Sequence, residues 1–261
     1  MEPNDVKNTG ATDCTAIIIL AAGLGTRMKS DRAKVLHKLN GIPMICYVVE
    51  TAETLAAKET IVVIGHQADQ VQAAVADYTQ LKFAIQDQQL GTGHAVKCAL
   101  PEVSVQIEHV VVLCGDVPLL KPTTVTLLLN EHINANRDVS IVAVKVLDPT
   151  GYGRIVMGAD RMVCGIVEEA DASENEKKIR IVNAGIYCVN RLFLQQAIKK
   201  LETNNAQGEL YLTDIVAMAH QENRSVGFIM ANDPDEVAGI NTLMELQSAE
   251  TVLMKGPHKT P

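Results

Sequence analysis

Apolar, β-branched runs alternate with helical spacing through the first half of the chain. Ala16–Leu20 is a continuous apolar run closed by Ala-Ala-Gly, and Ile61–Ile64 is a second, stopped by Gly65. A short segment at Phe83–Gln86 and a run at Val110–Leu113, ended by Gly115-Asp116, complete the set. Runs this short and uniformly apolar predict strands buried on both faces. Between them the pattern predicts three helices. One runs from Pro43 to about Ala57, with the proline in the first turn where its missing N–H costs nothing. The others span about Ala68 to Ala76 and the segment after Gly91–Gly93. Strands alternating with helices make βαβ units, hence an α/β fold whose mostly parallel sheet is covered on both faces.

The second half changes character. Val139–Val146, Gly153–Met157, Met162–Glu168 and Ile181–Val189 predict longer strands with Gly and Asp turns between them. The charged run Ala170–Lys178 reads as a solvated loop or short helix, and helices follow at Arg191–Leu201, Tyr211–Gln221 and Thr242–Leu253. No repeat, low-complexity stretch or Pro/Gly/Ser-rich linker divides the chain. The expected organisation is one domain over 15–254 with a strand-rich lobe, between a polar, mobile N-terminal arm (1–14) and a tail (255–261).

Composition narrows the function. A chain of 261 residues can bury a full core, and 47% hydrophobic with 21% charged residues is ordinary for a soluble globular protein. The formal charge of −8 argues against a nucleic-acid backbone as partner. Five Tyr, three Phe and no Trp argue against a base-stacking surface. No run reaches the ~18 apolar residues that span a bilayer, and the first fourteen residues hold no apolar signal core. The six cysteines form no C-x-x-C pair, which leaves zinc-motif and redox readings without support. A reduced cytoplasmic protein is expected.

One segment departs from the acidic average. Arg27, Lys29, Arg32, Lys34 and Lys38 crowd the loop after the first strand, opposed only by Asp31, and Gly23 and Gly25 lie in the same loop. Glycines let backbone N–H groups approach phosphate oxygens, and ligands of open α/β sheets bind at the carboxyl ends of strands. Leu20–Lys34 is therefore a candidate anion site. It is not a dinucleotide fingerprint, because Met28 stands at the third glycine position and the second strand ends in Gly65-His66 without an acidic residue. The spacing of a P-loop is absent as well.

The segments LAAGLGTRM and AKVLHKLNGIPM resemble the signature of the sugar-phosphate nucleotidyltransferases. QDQQLGTGHAV, CGDVPLL, DPTGYGRIV, GIVEEADA, VNAGIY and NNAQGELYLTDIV follow in the order expected of the N-terminal uridylyltransferase domains of bacterial N-acetylglucosamine-1-phosphate uridylyltransferases. The resemblance covers about Ala16 to Leu246. It implies a three-layer, Rossmann-like nucleotidyltransferase fold with a strand-rich sugar-binding lobe. It also implies small-molecule partners, UTP and N-acetylglucosamine 1-phosphate, with Mg²⁺ as cofactor.

Roles carry over motif by motif. The resemblance implies that Leu20, Ala21, Ala22 and Gly23 contact the nucleoside through their backbone, and that Gln86, Gly91 and Thr92 read the uracil. It assigns Arg27 and Lys34 to the triphosphate, and Asp116, after Gly115, to Mg²⁺ with Asn241 as second oxygen ligand. Gly153, Glu168 and Asn183 would receive the amino sugar. Taken singly, several of these have plainer readings: Asn241 as a helix N-cap, Asp116 as a turn cap, Glu168 as solvated surface. No protein nucleophile is required, since a sugar phosphate is already an anion able to attack the α-phosphorus. Lys29, Arg32 and Lys38 are left as solvated surface.

Two positions depart from the family pattern, Cys114 where Tyr is expected and Ala184 where Thr is expected. Full-length relatives continue into a hexapeptide-repeat β-helix that acetylates glucosamine 1-phosphate. No such repeat occurs here, so acetyl transfer is not expected. A pyrophosphorylase for another pair, such as dTTP with glucose 1-phosphate, and a non-catalytic binding module remain as alternatives.

Overall fold

A computed structural model describes residues 12–159 and 161–255. Most of the expected arm (1–14) and of the expected tail (255–261) lies outside the described residues. Strand β1 (Thr15–Leu20) is the apolar run expected there, and its alternate side chains divide between two cores. Ala16 and Ile18 face one, Ile17 and Ile19 the other, all fully buried. After β1 come a two-residue hairpin, β2 (Lys38–Leu39) and β3 (Ile42–Pro43), then helix α1 (Met44–Thr54). Strand β4 (Glu59–Ile64), helix α2 (Ala68–Ala74), strand β5 (Leu81–Ile85) and helix α3 (Thr92–Ala99) follow. Next are β6 (His109–Cys114), α4 (Pro122–Asn134), β7 (Val139–Lys145), β8 (Arg154–Met157), β9 (Val163–Val167) and β10 (Ile181–Asn190). The chain closes with α5 (Arg191–Ala197), α6 (Asp214–Gln221), β11 (Val226–Met230) and α7 (Leu243–Lys255).

The central sheet has the order β11-β7-β10-β6-β1-β4-β5, with the β8–β9 hairpin attached through β10. Strand β10 runs antiparallel to β6 and β7, while the β6–β1, β1–β4, β4–β5 and β7–β11 pairs are parallel. The sheet is thus mostly parallel, as its uniformly apolar strands require. Helices α3, α5 and α6 cover one face; α1, α2 and α4 cover the other. Of the strands expected in the strand-rich lobe, β7 and β10 extend this same sheet, and β8 and β9 form the hairpin attached to it through β10.

Some local expectations change. Pro43 lies one residue ahead of α1 with extended ψ (139°), because it pairs with Lys38 in the hairpin. That hairpin turns at Asn40-Gly41, both at positive φ, the combination two-residue hairpins favour. Helix α4 and strand β11 were not anticipated. The former was legible, for Pro122 opens it and Val125, Leu128, Leu129 and His132 are buried at helical spacing.

Chain order reverses beside β1: the chain runs outward through β4 and β5, then returns through β6 on the other side. In open α/β sheets the crevice outside such a reversal receives ligands. Leu20 and Cys114 end the two strands in register, and the Gly115 N–H donates to the Leu20 carbonyl at 2.9 Å. A third, smaller cluster lies below this edge. Met28, Leu39, Met44, Leu119, Ile240, Leu246 and Ala249 join the loop after β1 to α7. Met28 is fully buried in it. Met28→Ala is expected to destabilise the fold by about 2–5 kcal/mol. Urea unfolding should show this as a lowered midpoint with an unchanged slope.

Candidate functional site

The loop after β1 enters a single 3₁₀ turn, Thr26–Met28. Gly25 precedes it at φ 68°, and a Cβ there would lie 2.7 Å from the Lys34 Cβ. Only glycine lets the loop close this tightly onto the segment that carries Lys34. The turn sends Met28 inward and leaves Arg27 exposed, where its guanidinium donates to the Asn241 Oδ1 at 2.8 Å. A second turn, Lys34–Leu36, buries Val35 and Leu36 and aims Lys34 at the end of β6. Its ammonium contacts the Asp116 Oδ2 and donates to the Asn241 Oδ1 at 2.9 Å. Lys29, Arg32 and Lys38 are exposed.

Asn241 arrives from far along the chain. The Ile240 N–H donates to the Asp116 carbonyl at 2.9 Å, tying the segment before α7 to the end of β6. The Asn241 Nδ2 donates to the Gly239 carbonyl at 3.0 Å, which turns the Oδ1 toward the two cations. Helix capping falls to the next residue. Glu245 accepts from the N–H groups of Asn241 and Thr242, and its own N–H donates to the Thr242 hydroxyl, a reciprocal capping box.

A cavity of about 330 Å³ opens beside this cluster. Nine of the sequence candidates line it: Leu20, Arg27, Lys34, Thr92, Asp116, Gly153, Glu168, Asn183 and Asn241. Gly115 stands in the chain between two of the lining residues, Cys114 and Asp116. The far wall comes from β8, β9 and β10. The Asn183 N–H donates to the Gly153 carbonyl at 2.9 Å, and a Cβ on Gly153 would stand 3.3 Å from the Glu168 Oε2. Arg154, buried, holds the preceding loop through the Tyr152 carbonyl and Glu169. In β10 the register shifts between Asn183 and Tyr187. Such irregularities re-aim side chains. Here the Asn183 amide donates to the Tyr187 hydroxyl at 2.6 Å and accepts from the Gly185 N–H at 3.1 Å.

The remaining candidates stand elsewhere. Ala21 and Ala22 are buried, Gly23 is exposed, and the Ala21 N–H donates to the Val63 carbonyl at 2.9 Å. Gln86 lines a neighbouring cavity of about 250 Å³ with Leu24, Gly65 and His66. Its amide nitrogen lies 3.1 Å from both the Gly91 carbonyl and the His94 Nδ1. Gly91, at φ 103°, leaves no room for a side chain, since a Cβ would sit 2.6 Å from the Leu210 carbonyl. Thr92 accepts from the Leu212 N–H at 3.1 Å.

The structure adds Tyr152, Tyr187 and Thr213 to the wall. All three lie within the sequence segments quoted above, and only their partners distinguish them from neighbours. Thr213 donates to the Glu168 Oε1 at 3.0 Å. Glu168 is half-buried rather than solvated, and burial pushes its carboxyl up, aided by the charges of Asp214 and Asp171. Cys114 donates to the Gly185 carbonyl at 3.3 Å, and burial together with Asp116 pushes its thiol up to about 12. It meets the cavity as a neutral side chain, as does Ala184.

Residues 17–183 match the MobA-like NTP transferase domain, and the chain belongs to that family: it is a nucleotidyltransferase. Family members generally use a divalent metal. More particularly, its relatives carry the name bifunctional protein GlmU. That of Geobacter metallireducens is 44% identical over 234 residues, 90% of this chain and 49% of the relative. That of Desulfotalea psychrophila is 44% identical over 238 residues, covering 91% and 70%. That of Sorangium cellulosum is 45% identical over 251 residues, covering 94% and 53%. The chain spans about half the length of most of these relatives. Two solved structures share the fold. A putative glucose-1-phosphate thymidylyltransferase from Bacillus anthracis has a TM-score of 0.73 at 20% identity, covering 94% of this chain and 98% of its own. HddC from Yersinia pseudotuberculosis has a TM-score of 0.67 at 19% identity, covering 91% and 99%. Among the described residues, no helix is long and apolar enough to cross a membrane.

Glu168 makes stability depend on pH. In the unfolded chain its carboxyl returns to about 4.3, so the folded state holds the proton more tightly. Its favourable contribution is complete below the unfolded value and is lost as pH rises through the raised folded value. Glu168→Gln keeps the shape without the charge. Its stability relative to the parent chain should therefore rise between about pH 4 and pH 7. Urea unfolding at both pH values measures this, and an unchanged difference would mean an ordinary carboxyl.

Proposed function

We propose that residues 15–254 form one nucleotidyltransferase domain that transfers the uridylyl group of UTP to N-acetylglucosamine 1-phosphate, giving UDP-N-acetylglucosamine and pyrophosphate. The observation that carries this reading is the meeting of Arg27, Lys34, Asp116 and Asn241 at one end of a cavity whose other end holds Gly153, Glu168 and Asn183. A cavity of this size suits small molecules rather than a polymer. The motif resemblance and the names of the relatives support the choice of nucleotide and sugar.

In this reading an oxygen of the sugar phosphate attacks the α-phosphorus of UTP. A P–O bond forms as the α–β bridging bond breaks, and both electrons leave with pyrophosphate. Arg27 and Lys34 donate to the phosphoryl oxygens and disperse their charge, with no nucleophile or base from the chain. Asp116 and Asn241 are the residues that would hold Mg²⁺. Their oxygens are hard donors already gathered around one positive charge, that of Lys34, and Mg²⁺ takes only one or two such ligands from protein. When bound, the ion neutralises charge on the phosphates. On the acceptor side, Glu168 and Asn183 are held by Thr213 and Tyr187 and offer acceptor and amide groups to sugar hydroxyls. At the nucleoside end, Leu20 and Thr92 border this cavity, and Gln86, bonded to the Gly91 carbonyl, lines the neighbouring one.

A second reading has its own observation. Cys114 and Ala184 put small side chains in the cavity lining where the family pattern has Tyr and Thr, and this favours a different acceptor. Pyrophosphate release over UTP and dTTP, each with N-acetylglucosamine 1-phosphate and glucose 1-phosphate, separates the two. Release with UTP and the amino sugar, dependent on Mg²⁺ and lost with chelator, is expected. Release with dTTP and glucose 1-phosphate alone would establish the second reading, and none with any pair would leave a binding module. Lys34→Ala should lower kcat by roughly 10²–10³. Asp116→Asn should abolish metal-dependent turnover with an unchanged circular dichroism spectrum, and a near-parental rate would remove Asp116 from the site.

A further inference from the structure

The opposite end of the same two strands gathers a different set of side chains. Thr15 of β1 pairs with His109 of β6, and the Cys14 carbonyl accepts the N–H groups of Glu108 at 2.8 Å and His109 at 3.1 Å. These bonds fix Cys14 against Glu108-His109. The Cys14 Sγ, a Glu108 carboxylate oxygen and a His109 ring nitrogen all lie within 4.8 Å of one another. Among the described residues this is the one such grouping of three His, Cys, Asp or Glu side chains. It lies about 20 Å from the cavity, the length of a six-residue strand.

We propose that Cys14, Glu108 and His109 form a binding site for a zinc-class divalent cation. A sulfur, an imidazole nitrogen and a carboxylate oxygen are the donors of tetrahedral zinc sites. The set is wrong for Mg²⁺, which takes oxygens only. Three protein ligands leave the fourth position to water. Cys14 and His109 are half-buried and Glu108 is exposed, so the ligands are held on one side and the ion has a way in on the other. The His109 Nδ1 is buried without a hydrogen-bond partner, and the ring meets His132 edge-on at 5.2 Å between centroids. Coordination replaces the Sγ–H bond by a metal–sulfur bond, the proton leaving to solvent. Because the ligands come from strand-end positions already locked together, little backbone ordering opposes binding. The ion would staple the start of β1 to the start of β6.

Cobalt(II) titration of the full chain tests this, since a bound thiolate gives a charge-transfer absorption that oxygen ligands do not. The parent chain should show the band and bind about one ion, and zinc should raise its Tm. Cys14→Ser should lose both the band and the zinc-dependent Tm shift, and Glu108→Gln should weaken binding while keeping the band. Pyrophosphate release with Mg²⁺ should be the same in all three. Absence of the band from the parent chain, or its persistence at full strength in Cys14→Ser, would overturn the site. Circular dichroism confirms that each variant is folded.

Discussion

The cavity exists because β1 is held on both edges by parallel partners. Its hydrogen bonds go to β4 on one side and β6 on the other, and both its faces are buried, so the strand has no freedom to shift in register. With that constraint in place, the loop after Leu20 and the turn after Cys114 must leave the sheet side by side. The anion-holding loop and the carboxylate of Asp116 are neighbours for this reason, although 82 residues separate Lys34 from Asp116. A slip of one residue would exchange the two cores and part these groups together.

Within that frame, the loop is shaped by what it buries. Met28 is drawn into the smallest cluster, and the tight turn that delivers it points Arg27 the opposite way. The residue that breaks the dinucleotide pattern is therefore the anchor that orients a cation. Lys34 is set in the same manner by the burial of Val35 and Leu36. Apolar contacts fix where the positive charges stand, and the charges do not have to hold the loop themselves.

How much was legible in the sequence follows from the range of the forces involved. Strands β1, β4 and β6 announced themselves because double burial demands unbroken apolar runs, and the parallel sheet followed from their alternation with helices. Helix α4 carried equally local signals in Pro122 and its i, i+3, i+4, i+7 burial, and the β2–β3 hairpin carried Asn40-Gly41; both were open to the same reasoning. Strand β11 was not, for a short edge strand with Gly227 in it has little pattern of its own. The cations of the loop were visible as a local excess of charge. Asn241, Thr213 and Tyr187 were not visible by themselves, since each takes its meaning from a partner brought near by the fold. Their neighbourhoods were legible only through the family resemblance, which carries tertiary information that spacing lacks.

Helix α7 joins the site to the rest through the smallest of the three apolar clusters. It rests on the small cluster around Met28 and Met44, not on either large core, yet the segment leading into it supplies Asn241, the oxygen shared by Arg27 and Lys34. Local opening draws on such peripheral contacts first. A lifted α7 would take away the shared oxygen and release Arg27, while Lys34 stayed paired with Asp116 and the sheet stayed whole. The two cations thus differ in what holds them: Arg27 depends on the approach to the last described helix, Lys34 on the central sheet as well.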